Sequence, residues 1–168
     1  MSAPEIRRAS DAELPIVSHL AGRIWRAHYT SILSREQIEY MLAWMYDVEQ
    51  LRRDVARGVV YELLFEGERP IGFCGYEPVG SELKLHKLYL EVTEHGRGLG
   101  TLMLRHVEDE ARRRGLPMVV LGVNRFNEKA IRTYERNGYT VRKELKTDIG
   151  GGYVMDDYIM EKRMPGKA

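Results

Sequence analysis

The 168-residue chain carries 26 Lys and Arg against 25 Asp and Glu, a net charge of +1, and 43% of its residues are hydrophobic. That length supports one domain with a substantial core, and the even charge balance lacks the basic field that recruits nucleic acid. A single cysteine, Cys74, excludes an intrachain disulfide and fits a reducing compartment. No run reaches membrane-spanning length, and the opening MSAPEIRRASDAEL lacks a signal-peptide core, so a cytoplasmic location with no membrane partner is expected.

Pro4 to Ala9 reads as a short first strand. Ser10-Asp-Ala-Glu13 has the capping-box pattern that starts a helix. Leu14, Val17, Leu20, Ala21, Ile24, Trp25 and His28 then recur at helical spacing, and Pro15 shifts the first turn by a residue or two. Ser34 opens a second helix with Ile38, Met41, Leu42 and Met45 on one face. A third, over 48–56, stops at Gly58. Strands are expected over 59–65, 70–76 and 83–90, separated by Gly67-Glu68 and Gly80-Ser81 turns. Next comes a loop with glycine at Gly96, Gly98 and Gly100, then a helix over 101–114 that Gly115 and Pro117 terminate. Residues 118–123 form an unbroken apolar run, suited to a strand buried on both faces. Asn127 caps a helix carrying Ala130, Ile131 and Tyr134 and closed by Gly138. Residues 139–149 and 153–162 flank Gly150-Gly151-Gly152 as a terminal hairpin. With no repeat or linker, the chain reads as one α/β domain on a mixed sheet, spanning 1–168 with its core in 5–162.

The strand–glycine loop–helix junction is an anion cradle. Closely spaced glycines admit a ligand to the backbone, and the free N–H groups of the following helix face it with the dipole behind them. A dinucleotide fingerprint fails, because the spacing is Gly96-x-Gly98-x-Gly100 and the next strand ends in Asn124 rather than a carboxylate. No G-K-S/T follows, so a P-loop fails too.

The loop His95-Gly96-Arg97-Gly98-Leu99-Gly100 resembles the acetyl-CoA signature Q/R-x-x-G-x-G/A of the GCN5-related N-acetyltransferase (GNAT) superfamily, departing only at His95. A second block, from Leu121 through Asn127, Ala130 and Tyr134 to Gly138-Tyr139, matches every fixed point of the family's L-x-V-x-x-x-N-x-x-A-x-x-x-Y-x-x-x-G-F/Y. The resemblance covers most of residues 5–162. It implies a mixed, mostly antiparallel sheet of about seven strands flanked by helices, with a V-shaped splay between the fourth and fifth strands. It also implies acetyl transfer to a primary amine by direct attack in a ternary complex.

On that resemblance, the backbone from Arg97 to Thr101 holds the CoA pyrophosphate. Leu88, Tyr89 and Leu90 pair with the pantetheine arm as an added strand, and a backbone N–H near Leu88 polarises the thioester carbonyl. Asn124, Asn127 and Ala130 belong to the same cofactor-binding set. His95 puts a side-chain phosphate contact in doubt but leaves the backbone cradle intact. Tyr134 stands where the family places the acid that protonates the departing thiolate. For the base that deprotonates the amine, His86, Glu91 and a water relay remain open.

The first helices and last hairpin wall the acceptor side in this superfamily, which brings in Trp25, Tyr29, Met41, Met45, Tyr153, Asp156 and Asp157. Trp25-x-x-x-Tyr29 and the ending Gly-Gly-Gly-Tyr-Val-Met-Asp-Asp-Tyr-Ile-Met resemble the polyamine-acetylating branch. Strand alternation lets at most one of the two acids face the site. A protein N-terminus or lysine, another small amine, and a non-catalytic CoA-binding module are the alternatives. The superfamily commonly dimerises, and the terminal hairpin could carry a homodimer. Cys74 has no histidine partner in the sequence and reads as inert core. The five histidines show no metal-ligand spacing, so no metal is expected.

Overall fold

A computed structural model describes residues 3–165. Pro4–Arg8 forms β1. The Ser10 backbone N–H donates to the Glu13 carboxylate at 3.0 Å, the closed half of a capping box, and a 3-10 turn over Asp11–Glu13 leads into α1, Leu14–His28. Pro15 lies in the first turn of α1, where its missing N–H removes no helical hydrogen bond. Ser34 Oγ accepts from the Gln37 N–H at 3.1 Å and starts α2, Arg35–Tyr46, which α3, Val48–Arg57, follows. Then come β2 (Val60–Glu66), β3 (Arg69–Val79), β4 (Glu82–Leu90), α4 (Leu99–Arg113), β5 (Met118–Asn124), α5 (Glu128–Arg136) and the hairpin of β6 (Thr140–Gly150) and β7 (Tyr153–Arg163). Helix α4 starts at Leu99, two residues before the expected Thr101, because Gly98 at φ +75° is its N-cap.

The strands form one sheet in the order β1-β2-β3-β4-β5-β7-β6. Every neighbouring pair is antiparallel except β4–β5, which is parallel and short: its rungs run from Glu82–Met118 to Leu85–Leu121 and stop. Beyond them β4 stays with β3 as far as Leu90–Gly72, while β5 stays with β7 as far as Asn124–Asp157. The two halves of the sheet therefore part in a V whose closed end lies at Leu85 and Leu121.

A bulge adjoins that point. Tyr76 of β3 faces Leu85 and Gly75 faces Lys87, so His86 has no partner across the pair. An extra residue breaks the alternation of side chains. Leu83 and Leu85 pack beneath α4 with Met103, Leu104 and Val107, whereas Lys87 reaches Tyr46 and Met45 of α2 on the opposite face. Leu14, Val17, Leu20, Ile24, Ile38 and Leu51 from α1, α2 and α3 join Leu63 and Phe73 in the core of that second face. Each fully buried aliphatic or aromatic side chain contributes roughly 1.5–3 kcal/mol. The apolar run of β5 is buried from Val119 to Leu121 and at Val123, with Met118 half-buried and Gly122 exposed.

Cys74 is fully buried, and burial followed by the nearby Glu62 carboxylate pushes its thiol pKa well up, leaving an unreactive thiol. Among the described residues no helix is long and apolar enough to cross a membrane.

Candidate active site

The open V is a cleft of about 620 Å³, walled on one arm by Leu85–Leu90 and on the other by Leu121–Asn124. The glycine loop sits at its mouth. Gly96 and Gly98 have φ of +84° and +75°, and nothing approaches within 4 Å of the place a Cβ would take on either. Side chains there would be strained and would fill the approach to the backbone. Gly100, Leu99 and Thr101 complete this part of the lining, with Thr101 Oγ1 accepting from Asn137 Nδ2 at 3.3 Å.

Two loop side chains do other work. Arg97 gives its guanidinium to Glu66 and Glu94 and is absent from the cleft wall. His95 lines the mouth, where its Nε2 lies 3.3 Å from the Leu90 carbonyl and its Nδ1 lies 3.0 Å from Lys129 Nζ. Burial, then the Lys129 ammonium, lower its pKa, which favours the neutral imidazole at pH 7. Lys129, Arg132 and Arg136 of α5 all line the cleft. Sequence reasoning missed this basic row, although spacings of three and four residues put it on one helix face.

Helix α5 also brings in Asn127, Ala130 and Tyr134. The Asn127 side-chain oxygen accepts from the Ala130 N–H at 3.4 Å and lies 3.3 Å from His28 Nε2. It is buried, and its oxygen already serves the helix cap. Asn124 accepts from the Phe126 N–H at 2.9 Å and lines the cleft at the end of β5. Tyr134 lines it too, with its ring edge-on to Tyr139 at 5.9 Å and no hydrogen bond from its hydroxyl among the described residues. Burial raises its pKa, so it holds its proton at neutral pH.

Across the cleft, α1 supplies an aromatic wall. Trp25 lies 4.5 Å from Tyr29 and 5.8 Å from Tyr89 between ring centroids, and the Tyr29 and Tyr89 hydroxyls meet at 3.2 Å. Met41 and Met45 of α2 extend this wall, together with Gln37 and Leu33. Leu88 and Leu90 face the α4 core instead, so the backbone of 88–90 runs between the two sides.

Besides Arg97, three expected site residues lie elsewhere. Glu91 is buried against Arg23 at 2.8 Å and is absent from the cleft wall. Tyr153 packs on Tyr40, 5.0 Å between centroids, because the Tyr40 hydroxyl donates to the Ile149 carbonyl at 2.6 Å and fixes the hairpin turn there; Val154 and Met155 reach the cleft instead. Asp156 is held by Arg125 at 3.0 Å on the far face of β7. Asp157, its neighbour, lines the cleft, with Oδ2 3.9 Å from the Cβ position of Gly122, and has no ion-pair partner among the described residues. Burial, then the Asp156 charge, push its carboxyl pKa up to about 6.

His86 stands at the closed end of the V, with Nε2 2.8 Å from Glu77 Oε1 and its pKa lowered by burial. Lys87 beside it was not anticipated, since regular alternation would have turned it away. Its ammonium donates to the Tyr61 hydroxyl at 2.6 Å, which in turn donates to Asp54 at 2.7 Å. Burial pushes the Lys87 pKa down to about 8. No group of side chains suited to holding a metal occurs among the described residues.

Residues 20–139 match the model of the acetyltransferase (GNAT) family. A spermidine N(1)-acetyltransferase of Thermoplasma acidophilum is 27% identical over 164 residues, covering 95% of this chain and 96% of the relative. The crystal structure of PaiA N-acetyltransferase from the same organism, in complex with coenzyme A, superposes with a TM-score of 0.82 at 26% identity, covering 96% of this chain and 99% of that one. The ribosomal-protein-S18-alanine N-acetyltransferase of Escherichia coli shares the fold, with a TM-score of 0.75 at 19% identity over 99% of this chain and 96% of that one.

Proposed function

The chain belongs to the acetyltransferase (GNAT) family, and on that premise we propose that it transfers acetyl from acetyl-CoA to a primary amine of a polyamine or similar small cationic amine. The observation that carries the acceptor class is Asp157, a half-buried carboxylate in the cleft wall with no cation paired to it among the described residues. A charge drawn partly out of water favours a partner, and an ammonium entering past Trp25 and Tyr29 supplies one while resting on aromatic faces that favour cations. The spermidine-acetylating relative supports the same reading.

The loop backbone at Gly96–Thr101 and the α5 cations Lys129, Arg132 and Arg136 suit the phosphates of CoA. The backbone of Leu88–Leu90, paired with β3 but without a strand partner on the β5 side, suits its amide-bearing arm. His86 takes a proton from the bound ammonium, and the freed amine attacks the thioester carbonyl. A backbone N–H near Leu88 steadies the charge that develops on the carbonyl oxygen. As the C–N bond forms and the C–S bond breaks, Tyr134 gives its proton to the departing sulfur, the attacking nitrogen loses its second proton to solvent, and solvent carries the proton held on His86 back to Tyr134, so one proton is released per turnover.

The test is release of free CoA thiol from acetyl-CoA with spermidine, spermine, putrescine, amino acids and N-terminal peptides, with products identified by mass. Acetylated polyamine is the expected product. Turnover of peptides alone would overturn the acceptor class. No turnover with any amine, alongside CoA binding, would make the protein a binding module.

A further inference from the structure

His86 carries the base role in the reading above, and an imidazole is a useful base only if the nitrogen facing the amine is bare. Which nitrogen is bare depends on what holds the other one. Nε2 of His86 lies 2.8 Å from Glu77 Oε1, while Nδ1 has no partner among the described residues. Glu77 is itself held: Arg57 of α3 donates to its two oxygens at 3.1 and 3.5 Å. That contact, with burial countered by His86 and Arg57, leaves the Glu77 pKa below its ordinary value, so it is a carboxylate at pH 7 and can only accept. An accepting carboxylate at Nε2 puts the imidazole proton on that nitrogen.

The bulge is what allows this. With His86 unpaired across β3, its ring swings toward Glu77, diagonally opposite on the same face, at the point where β4 loses contact with β5. From this geometry we infer that Glu77 is a positioning residue for the transfer reaction, fixing His86 with Nε2–H toward the carboxylate and Nδ1 bare to receive the acceptor's proton. Glu77 also steadies the imidazolium that results. The inference rests on His86 being the base.

The charged groups around the imidazole are Glu77 from β3, Lys84 and Lys87 from β4, and Arg57 behind Glu77. Burial and the two lysines lower the imidazole pKa while Glu77 raises it. Removing the Glu77 charge therefore lowers it further.

The experiment pairs Glu77→Gln with nitrogen NMR of histidine-labelled protein. Wild type is expected to show His86 as the Nε2–H tautomer. In E77Q the tautomers mix, the imidazole midpoint moves to lower pH, and kcat falls roughly tenfold with KM nearly unchanged, the scale on which partners of active-site groups act. The acid limb of the kcat profile moves down with the midpoint, and Glu77→Asp restores part of the rate. An Nδ1–H tautomer in wild type, or an E77Q midpoint unchanged or raised, overturns the inference. Full activity in His86→Ala would instead remove the base reading while leaving the tautomer measurement intact, so the two failures are told apart.

Discussion

Asp157→Asn separates the stability of the fold from binding of the acceptor. Burial and Asp156 carry the Asp157 pKa from 3.8 up to about 6. The folded chain thus binds a proton more tightly than the unfolded chain, so stability falls as pH rises from 3.8 to 6 and stays lowered above that window. At about 1.4 kcal/mol per pH unit, the full penalty is about 3 kcal/mol. The group is only partly buried, and solvent screening leaves about half of that, about 1.5 kcal/mol. Asparagine carries no such penalty. In a chain of this size about 1 kcal/mol moves Tm by about 2–4 °C, so the variant should melt about 3–6 °C higher at pH 7.5, with the gain shrinking toward zero near pH 4. Its loss appears in binding. A carboxylate–ammonium hydrogen bond is worth roughly 1.5–3 kcal/mol, so KM for a cationic amine should rise roughly 10- to 100-fold. Calorimetry at the two pH values and steady-state kinetics give both numbers. A variant that melts no higher at pH 7.5 and keeps its KM would refute the placement of an ionised, unpaired Asp157 in the acceptor cleft.

Tyr134→Phe should lower kcat by roughly 10²- to 10³-fold, as for loss of a general acid, with CoA affinity by calorimetry nearly unchanged; equal losses in both would make Tyr134 a packing residue. Gly98→Ala places a Cβ at φ +75° at the N-cap of α4, which costs roughly 1–2 kcal/mol. It should lower Tm by several degrees and weaken CoA binding together, so normal affinity would argue against the loop as the phosphate site. Lys87, with its pKa pushed down to about 8 from 10.5, leaves the folded chain holding fewer protons than the unfolded chain between those values. Wild type therefore gains up to about 3 kcal/mol from that group as pH rises through the window, and Lys87→Met should lack the gain in denaturant titrations at pH 8 and 10. Cys74 should resist iodoacetamide in the folded protein and react in denaturant; rapid labelling under native conditions would contradict its burial.

What the sequence made legible was local. Ser10 and Glu13 lie three residues apart, and the cap they form is a property of that spacing alone. The glycines at the mouth and the block from Leu121 to Tyr139 likewise announce themselves within a few turns of chain. The residues that lie outside the cleft wall are placed by partners distant in sequence. Glu91 is claimed by Arg23, Tyr153 by Tyr40, and Asp156 by Arg125. Alternation along β7 allowed one of Asp156 and Asp157 into the site, but choosing between them required knowing which face of β7 looks on Gly122. The pair Glu77 and His86 was hidden for another reason: nothing in Tyr-Glu-Pro-Val or Lys-Leu-His-Lys marks the extra residue in the ladder between them.

That extra residue makes the length of this stretch a determinant in its own right. Deleting His86 or Lys87 would remove the bulge and restore strict alternation with Leu83, Leu85, Leu88 and Leu90 still beneath α4, but it would take from the other face either the imidazole or the ammonium that the doubled position puts there. An insertion without a further bulge would instead turn Leu88 and Leu90 away from α4. The hairpin ends at Gly67-Glu68 and Gly80-Ser81 hold no such count. Gains and losses of residues belong in those turns, while between Leu85 and Leu88 the chain needs both of its residues.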